Sequence, residues 1–322
     1  MTTPAQSQGA LAVTALGGGH GLYASLSALR LMSDRLTAVV TVADDGGSSG
    51  RLRDELDVLP PGDLRMALAA LCDDSEWGRT WSDLLQHRFV SGGSLDKHAM
   101  GNLMIVALWD LLGDTVTGLD WVANLLGARG RVLPMASVPL VVEADVRRDG
   151  AATLETVVGQ SRVAVTGGRI EQLRLVPEDP PACPEAVEAV RTADWVVLGP
   201  GSWYSSVLVH LLVPELARAL HETDARVCVT LNLAAERGET QGLTATDHLE
   251  ALHRHAPDLR VDAVLADPSA VEDVDELADA AGMLGARLLM RQVRRGDGSA
   301  RHDALRLAAA YRDVFEGVYG DV

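Results

Sequence analysis

Thr41-Val42-Ala43-Asp44-Asp45-Gly46-Gly47-Ser48-Ser49-Gly50-Arg51 is the stretch that decides the fold class of this chain. The residues leading into it, Leu36 to Ala43, form a β-branched apolar run that predicts a buried strand. That strand ends on two carboxylates, five small residues able to expose backbone N–H groups, and an arginine. Acid for a cation, bare backbone for phosphate and a guanidinium are the parts that a nucleotide diphosphate site requires.

The same rhythm recurs on both sides. Upstream, a strand over Leu11 to Leu16 meets the loop Gly17-Gly18-Gly19-His20-Gly21, and a helix is expected from about Leu22 to Met32. Downstream, Trp195 to Leu198 reads as a strand, Gly199-Pro200-Gly201-Ser202 as a loop and Ser205 to Leu212 as a helix. Further strands are expected at Val227 to Leu231, Val261 to Leu265 and Arg287 to Met290, with helices starting near Thr246 and Val271 and a last one over Ala304 to Phe315. Strand, glycine turn and helix in alternation predict an α/β fold with a doubly wound, mainly parallel sheet.

Residues 60–130 read as largely helical, with Pro60-Pro61-Gly62-Asp63 opening Leu64 to Leu71 and Asp63 as the expected N-cap. Further helices are expected at 80–88, 101–112 and 119–128. Residues 131–177 read as a β-rich insertion, with strands at 138–142, 162–166 and 169–176. The first nine residues read as a frayed tail, and residues 10–322 as a single domain.

Composition narrows the function classes. The 322 residues are 47% hydrophobic, enough to bury a large core, and the formal charge of −17 opposes a nucleic-acid partner over most of the surface. Cys72, Cys183 and Cys228 lie far apart, without metal-ligand spacing or a disulfide framework, which suits a reducing cytoplasm. Neither a signal peptide nor an apolar run long enough to insert in a bilayer is read, so a cytoplasmic protein is expected.

Each glycine loop follows a strand and opens a helix, where backbone N–H groups and the helix dipole favour an anion. Gly17 to Gly21 is neither a dinucleotide fingerprint nor a P-loop, because no later glycine and no Lys-Ser/Thr pair stands in register. Gly46-Gly47-Ser48-Ser49-Gly50 formally matches a nucleophile elbow with Ser48 as nucleophile, but two aspartates and two glycines separate that serine from its strand. Phosphate binding by Ser48, Ser49 and the loop amides is the stronger reading. Asp44 or Asp45 then binds a divalent cation or a substrate hydroxyl, or Asp45 caps a helix beginning near Arg51. Asn232 follows a strand end and is placed to hydrogen-bond a base or sugar. His98 and Asn102, four residues apart, share one face, for either a buried hydrogen bond or ligand contact.

In order along the chain, Gly17–Gly21, Val42–Arg51, Leu59–Arg65, His98–Asn102, Gly199–Ser202, Gly238-Glu239-Thr240 and Arg301-His302 resemble the YvcK/GlmR group of gluconeogenesis factors, in the CofD-like superfamily. The resemblance implies a Rossmann-like fold that binds a UDP-sugar, chiefly UDP-N-acetylglucosamine. It implies a regulator linking that nucleotide sugar to cell-wall (peptidoglycan) synthesis, cell shape and carbon metabolism, with no settled catalysis.

Carried over by motif, Gly18, Gly19, His20, Gly21, Gly46, Gly47, Ser48, Ser49, Gly199, Gly201 and Ser202 would hold the diphosphate. Asp44, Asp63, Asn102 and Asn232 would lie near the ligand, and Arg301 would reach it from the C-terminal segment. No resident cofactor is required; Mg²⁺ would accompany the diphosphate with Asp45 as its candidate ligand. The expected partner is a cell-wall or amino-sugar pathway protein, and a homodimer is open. The alternative is a CofD-type transferase, moving a phospho-organic-acid group from a nucleotide diphosphate to a deazaflavin-like acceptor.

The chain also departs from the group. His20 stands where threonine is usual, which alters phosphate contact or introduces pH sensitivity. Ala234-Ala235-Glu236 replaces Met-Thr-Gln, and the segment Glu276 to Ala280 lacks an expected pocket tyrosine.

Overall fold

The computed structural model describes residues 11–148, 150–235 and 238–319; the expected tail and Glu236 lie outside them. β1 (Ala12–Gly17) is buried at every position and leads into α1 (Gly19–Leu29), and β2 (Arg35–Val40) leads into α2 (Gly47–Leu56). Four helices follow: α3 (Gly62–Leu71), α4 (Glu76–Gln86), α5 (Met100–Leu112) and α6 (Thr115–Leu126). After them come β3 (Arg131–Pro134), β4 (Val141–Arg147), β5 (Leu154–Val158), a short α7 (Gln160–Ala164) and β6 (Arg169–Val176). The chain continues through α8 (Pro184–Arg191), β7 (Trp195–Leu198), α9 (Pro214–Glu222), β8 (Arg226–Thr230) and α10 (Ala245–His255). It ends with β9 (Ala263–Ala266), α11 (Val274–Met283), β10 (Arg287–Met290) and α12 (Ala304–Glu316).

Seven strands form one sheet in the order β10-β9-β8-β7-β1-β2-β3, with every neighbouring pair parallel. The chain runs outward from β1 to β3, then returns to the far side of β1 at β7 and runs outward again to β10. This reversal sets the loops after β1 and β7 side by side at the C-terminal strand ends, where open α/β sheets bind ligands. Helices on both faces explain why the strands are apolar runs rather than alternating ones. Each fully buried Val or Leu contributes roughly 1.5–3 kcal/mol of transfer free energy. β4, β5 and β6 make a separate antiparallel sheet in the order β5-β4-β6.

Several local expectations are corrected. Residues 162–166 are not a strand: α7 occupies Gln160–Ala164, because Gly159 at φ 101 turns the chain and the Asp45 carboxylate accepts from Ser161 N–H at 2.9 Å. Arg131–Pro134 pairs with β2 in the large sheet rather than joining the insertion. Ser205 to Leu212 is not one α-helix but a π-helical turn over Trp203–Val207 followed by a 3₁₀ turn over Leu208–Leu212. α2 begins at Gly47 rather than near Arg51, so Ser48 and Ser49 are helical residues. Its start is tied by Asp44, whose Oδ1 accepts from Gly46 N–H at 2.9 Å, and not by Asp45. Asp63 is not an N-cap; α3 is entered from Pro61 and Asp63 stands in its first turn.

Candidate functional site

The loops after β1 and β7 touch backbone to backbone. A Cβ on Gly21 would lie 2.1 Å from the Pro200 carbonyl oxygen and 2.4 Å from Gly201 Cα, so only glycine permits this approach. Asn232, just after β8, clamps the second loop: its Oδ1 accepts from Gly201 N–H at 2.9 Å and its Nδ2 donates to Gly201 O at 2.8 Å. Beneath them, Ser25 Oγ donates to Gly199 O at 2.9 Å and meets Tyr311 Oη, which in turn meets Thr230 Oγ1 at 3.0 Å. This buried chain fixes α1, the β7 loop, β8 and α12 to one another.

Above the joined loops lies a crevice of about 480 Å³, lined by His20, Gly21, Pro200, Gly201, Asn232, Arg295, Arg301 and His302 among others. The arginines arrive on the segment after β10. Asp267 Oδ2 accepts from Val293 N–H at 2.7 Å and Arg294 N–H at 2.8 Å, and Arg295 N–H donates to Arg301 O at 2.9 Å. Burial pushes the His302 imidazole down to about 4, so it is neutral at physiological pH. Arg295 and Tyr23 were not singled out in the sequence. Arg295 could have been found, because Arg301 lies six residues later in the same turn-rich segment.

The other side of β1 is acidic. Asp63 accepts from Gly19 N–H, and burial next to Asp44 raises its carboxyl to about 7. Burial likewise raises Asp44, against the lowering bonds from Gly46 N–H and Ser49. Between them and the interior sits Arg65, 3% exposed, whose Nε donates to Asn102 Oδ1 at 2.8 Å. Burial lowers its guanidinium to about 10, while the Asp63 and Asp44 charges hold it up. A Cβ on Gly18 would lie 2.5 Å from both Asp63 Oδ2 and Thr41 Cγ2, so this glycine is required by crowding rather than by an anion.

Ser48 faces inward. Its Oγ accepts from Ala99 N–H at 3.3 Å and Asn102 Nδ2 at 3.0 Å, and lies 3.0 Å from His98 Nδ1. With both lone pairs taken, its hydroxyl hydrogen goes to His98 Nδ1, which assigns the ring proton to Nε2. Burial lowers the His98 pKa, and the neighbouring Arg51 adds to that. The serine–histidine contact of a nucleophile is therefore present, a pairing the sequence did not disclose. Ser48, however, is only 3% exposed and has no lone pair left for attack. His98 and Asn102 thus meet on one buried hydroxyl.

Asp45 is exposed and holds α7, while Ser202 is half-buried beside Gly201. The turn after Ser202 resembles an anion site, but its amides are already used: Glu239, 1% exposed, accepts from Tyr204 N–H at 3.0 Å and Ser205 N–H at 3.2 Å. Among the described residues no group of three His, Cys, Asp or Glu side chains is arranged for a metal, and no helix is long and apolar enough to cross a membrane.

Comparison with known proteins places this geometry in a lineage. The CofD family profile, described as 2-phospho-L-lactate transferase CofD, matches residues 13–283. A Mycobacterium tuberculosis protein whose printed name assigns it provisionally to the gluconeogenesis factors is 50% identical over 311 residues, covering 95% of this chain and 90% of its own. The Bacillus subtilis gluconeogenesis factor is 39% identical over 261 residues, covering 81% and 80%. A crystal structure of a UPF0052 family member from Bacillus halodurans superimposes with a TM-score of 0.84 at 34% identity, covering 94% of this chain and 99% of that one. The chain belongs to the CofD family and, within it, to the gluconeogenesis-factor (YvcK, UPF0052) group.

Proposed function

We propose that the crevice where the β1 and β7 loops meet binds a UDP-sugar, UDP-N-acetylglucosamine first, and that the protein is a regulator rather than a catalyst. On this reading it links nucleotide-sugar level to cell-wall synthesis, cell shape and carbon metabolism through a protein of the cell-wall or amino-sugar pathway. The observation that carries the reading is the crevice itself, an open volume of about 480 Å³ at the switch point with Arg295 and Arg301 on its wall. Guanidiniums on that wall suit a diphosphate, which they engage by paired charge-assisted bonds. The Ser48 oxygen, which a covalent mechanism would need, is saturated.

Where Mg²⁺ accompanies the diphosphate, Asp44 and Asp63 suit it better than Asp45, because they crowd each other and a cation would relieve both. The same acid pair favours the second reading, a CofD-type transferase that holds a nucleotide diphosphate on a cation while an acceptor attacks. An aromatic content of 4% offers little stacking surface for a flavin-like acceptor and leans toward the regulator. Calorimetry decides between them. Binding of UDP-N-acetylglucosamine without turnover is expected; binding of GDP or NAD with no heat from any UDP-sugar sinks the proposal.

A further inference from the structure

A second cavity, of about 490 Å³, opens between the turn before β6 and the end of α10, and shares no lining residue with the crevice. Its wall carries Arg169 from β6, Arg254 from α10, Tyr204, Gln241 and Gly168. Gly168 is at φ +94, and a Cβ there would lie 2.6 Å from Arg147 O, so the turn that presents Arg169 is held tight. Among the described residues neither guanidinium makes a hydrogen bond or an ion pair, in a chain with a formal excess of 17 acidic charges. Two carboxylates, Glu239 and Asp247, also line the cavity, and they and the neighbouring Glu171 are already engaged. Asp247 closes the capping box of α10, Glu239 accepts two backbone N–H groups, and Glu171 is held by Arg147 at 2.9 Å.

Tyr204 adds an independent sign. Its side chain is 3% exposed, packed edge-on to His255 at 5.9 Å, yet its hydroxyl bonds to no described residue. Arg254 and Arg169 act on that phenol electrostatically, opposed by Glu239 and Asp247, so both guanidiniums lie close to it. A phenol that packs its ring inside and keeps its O–H free on a cavity wall with two unbonded guanidiniums adds a third donor for an incoming anion. Two planar forks and one hydroxyl match the oxygens of a phosphomonoester. The volume lies in the range of small-molecule pockets.

We propose that this cavity is a second ligand site, one that takes the phosphomonoester group of a small metabolite between Arg169, Arg254 and Tyr204. It is independent of the UDP-sugar reading, since it uses none of the crevice residues. The test is titration at fixed ionic strength with inorganic phosphate, with glucose 6-phosphate and with glucose as the uncharged control, read by calorimetry and ³¹P line broadening.

Both phosphates are expected to bind and glucose not. Tighter binding of glucose 6-phosphate assigns the site to a phosphorylated metabolite, whereas equal binding assigns it to the free anion and overturns the metabolite assignment. The double variant R169Q/R254Q, changed only at exposed positions, is expected to weaken phosphate at least tenfold. Y204F weakens it a few-fold. Arg301→Ala leaves it unchanged, and the double variant leaves UDP-N-acetylglucosamine affinity within twofold. Phosphate affinity that survives R169Q/R254Q, or is lost in Arg301→Ala, overturns the proposal. So does parallel loss of phosphate and UDP-N-acetylglucosamine binding in R169Q/R254Q, which would put the two arginines in the nucleotide site.

Discussion

The two flanks of β1 make opposite use of the same local pattern. On the β2 side, strand ends and helix starts bring together Asp44, Asp63, Ser48 and Ser49, the residues richest in recognisable chemistry, and nearly every polar atom is spent on its neighbours. On the β7 and β8 side, the motifs are sparser, but the segment after β10 hangs Arg295 and Arg301 over an open crevice. One flank is acidic, crowded and mostly bonded within itself, with Thr41 Oγ1 and Arg65 Nη1 left over; the other is basic and open. Motif density therefore marks where the backbone is hardest to build, and free charge marks where a ligand is received. Under the proposed function, a diphosphate would lie nearer the arginines than the serine-rich turn.

That contrast breaks first if the flanks are not truly locked together. Gly21→Ala puts a methyl against two backbone atoms of the other loop that cannot retreat. A loss of about 3 kcal/mol or more is expected, measured by urea denaturation, with the crevice lost at the same time. A variant of near wild-type stability would show that the loops part easily. Next comes the basic flank: Arg301→Ala is expected to weaken UDP-N-acetylglucosamine by roughly 30- to 150-fold, about 2–3 kcal/mol for charged hydrogen bonds, without loss of fold. Ser48→Ala is expected to cost stability and to leave affinity nearly unchanged by calorimetry. The reverse ranking would move the diphosphate to the acidic flank.

The acidic flank also predicts a pH signature. Asp63 keeps its proton up to about 7 in the folded protein, against a usual 3.8. Between those values the folded state binds the extra proton, so stability falls as pH rises from about 4 through 7 and the penalty is complete above that. The span is on the order of 2 kcal/mol after allowing for partial contact with solvent. Asp63→Asn keeps an acceptor for Gly19 N–H and is expected to flatten this slope in thermal melts taken from pH 4.5 to 8, leaving only the part that the raised Asp44 carboxyl supplies. An unchanged slope would place the proton elsewhere.

Much of the large sheet was legible because its inner strands are buried on both faces, and continuous apolar runs such as Trp195–Leu198 and Ala263–Ala266 stand out in the sequence. The insertion was less so. Residues 160–164 carry a mixed pattern, and what makes them helical is a carboxylate 116 positions away, Asp45, which no local window contains. The site shows the same limit. Glycines at loop contacts were visible from spacing, but the donors closed off by Glu239 and Asn232, and the hydroxyl closed off by His98 and Asn102, depend on partners far along the chain.

Asp45 gives the smallest effect and the sharpest division between the flanks. It is exposed, and its Oδ1 holds Ser161 N–H at the start of α7. If that is its whole task, Asp45→Asn keeps an acceptor and costs at most a few tenths of a kcal/mol, whereas Asp45→Ala removes a cap and costs about 1 kcal/mol. Neither change should then alter UDP-N-acetylglucosamine affinity, with Mg²⁺ or without it. A cation ligand behaves differently: Asp45→Asn would weaken binding about tenfold in Mg²⁺ and not in EDTA. Calorimetry under the two conditions separates the roles, because a cap answers to the loss of an oxygen and a metal ligand to the loss of a charge. The acidic flank is a structural brace under the first result and part of the ligand site under the second.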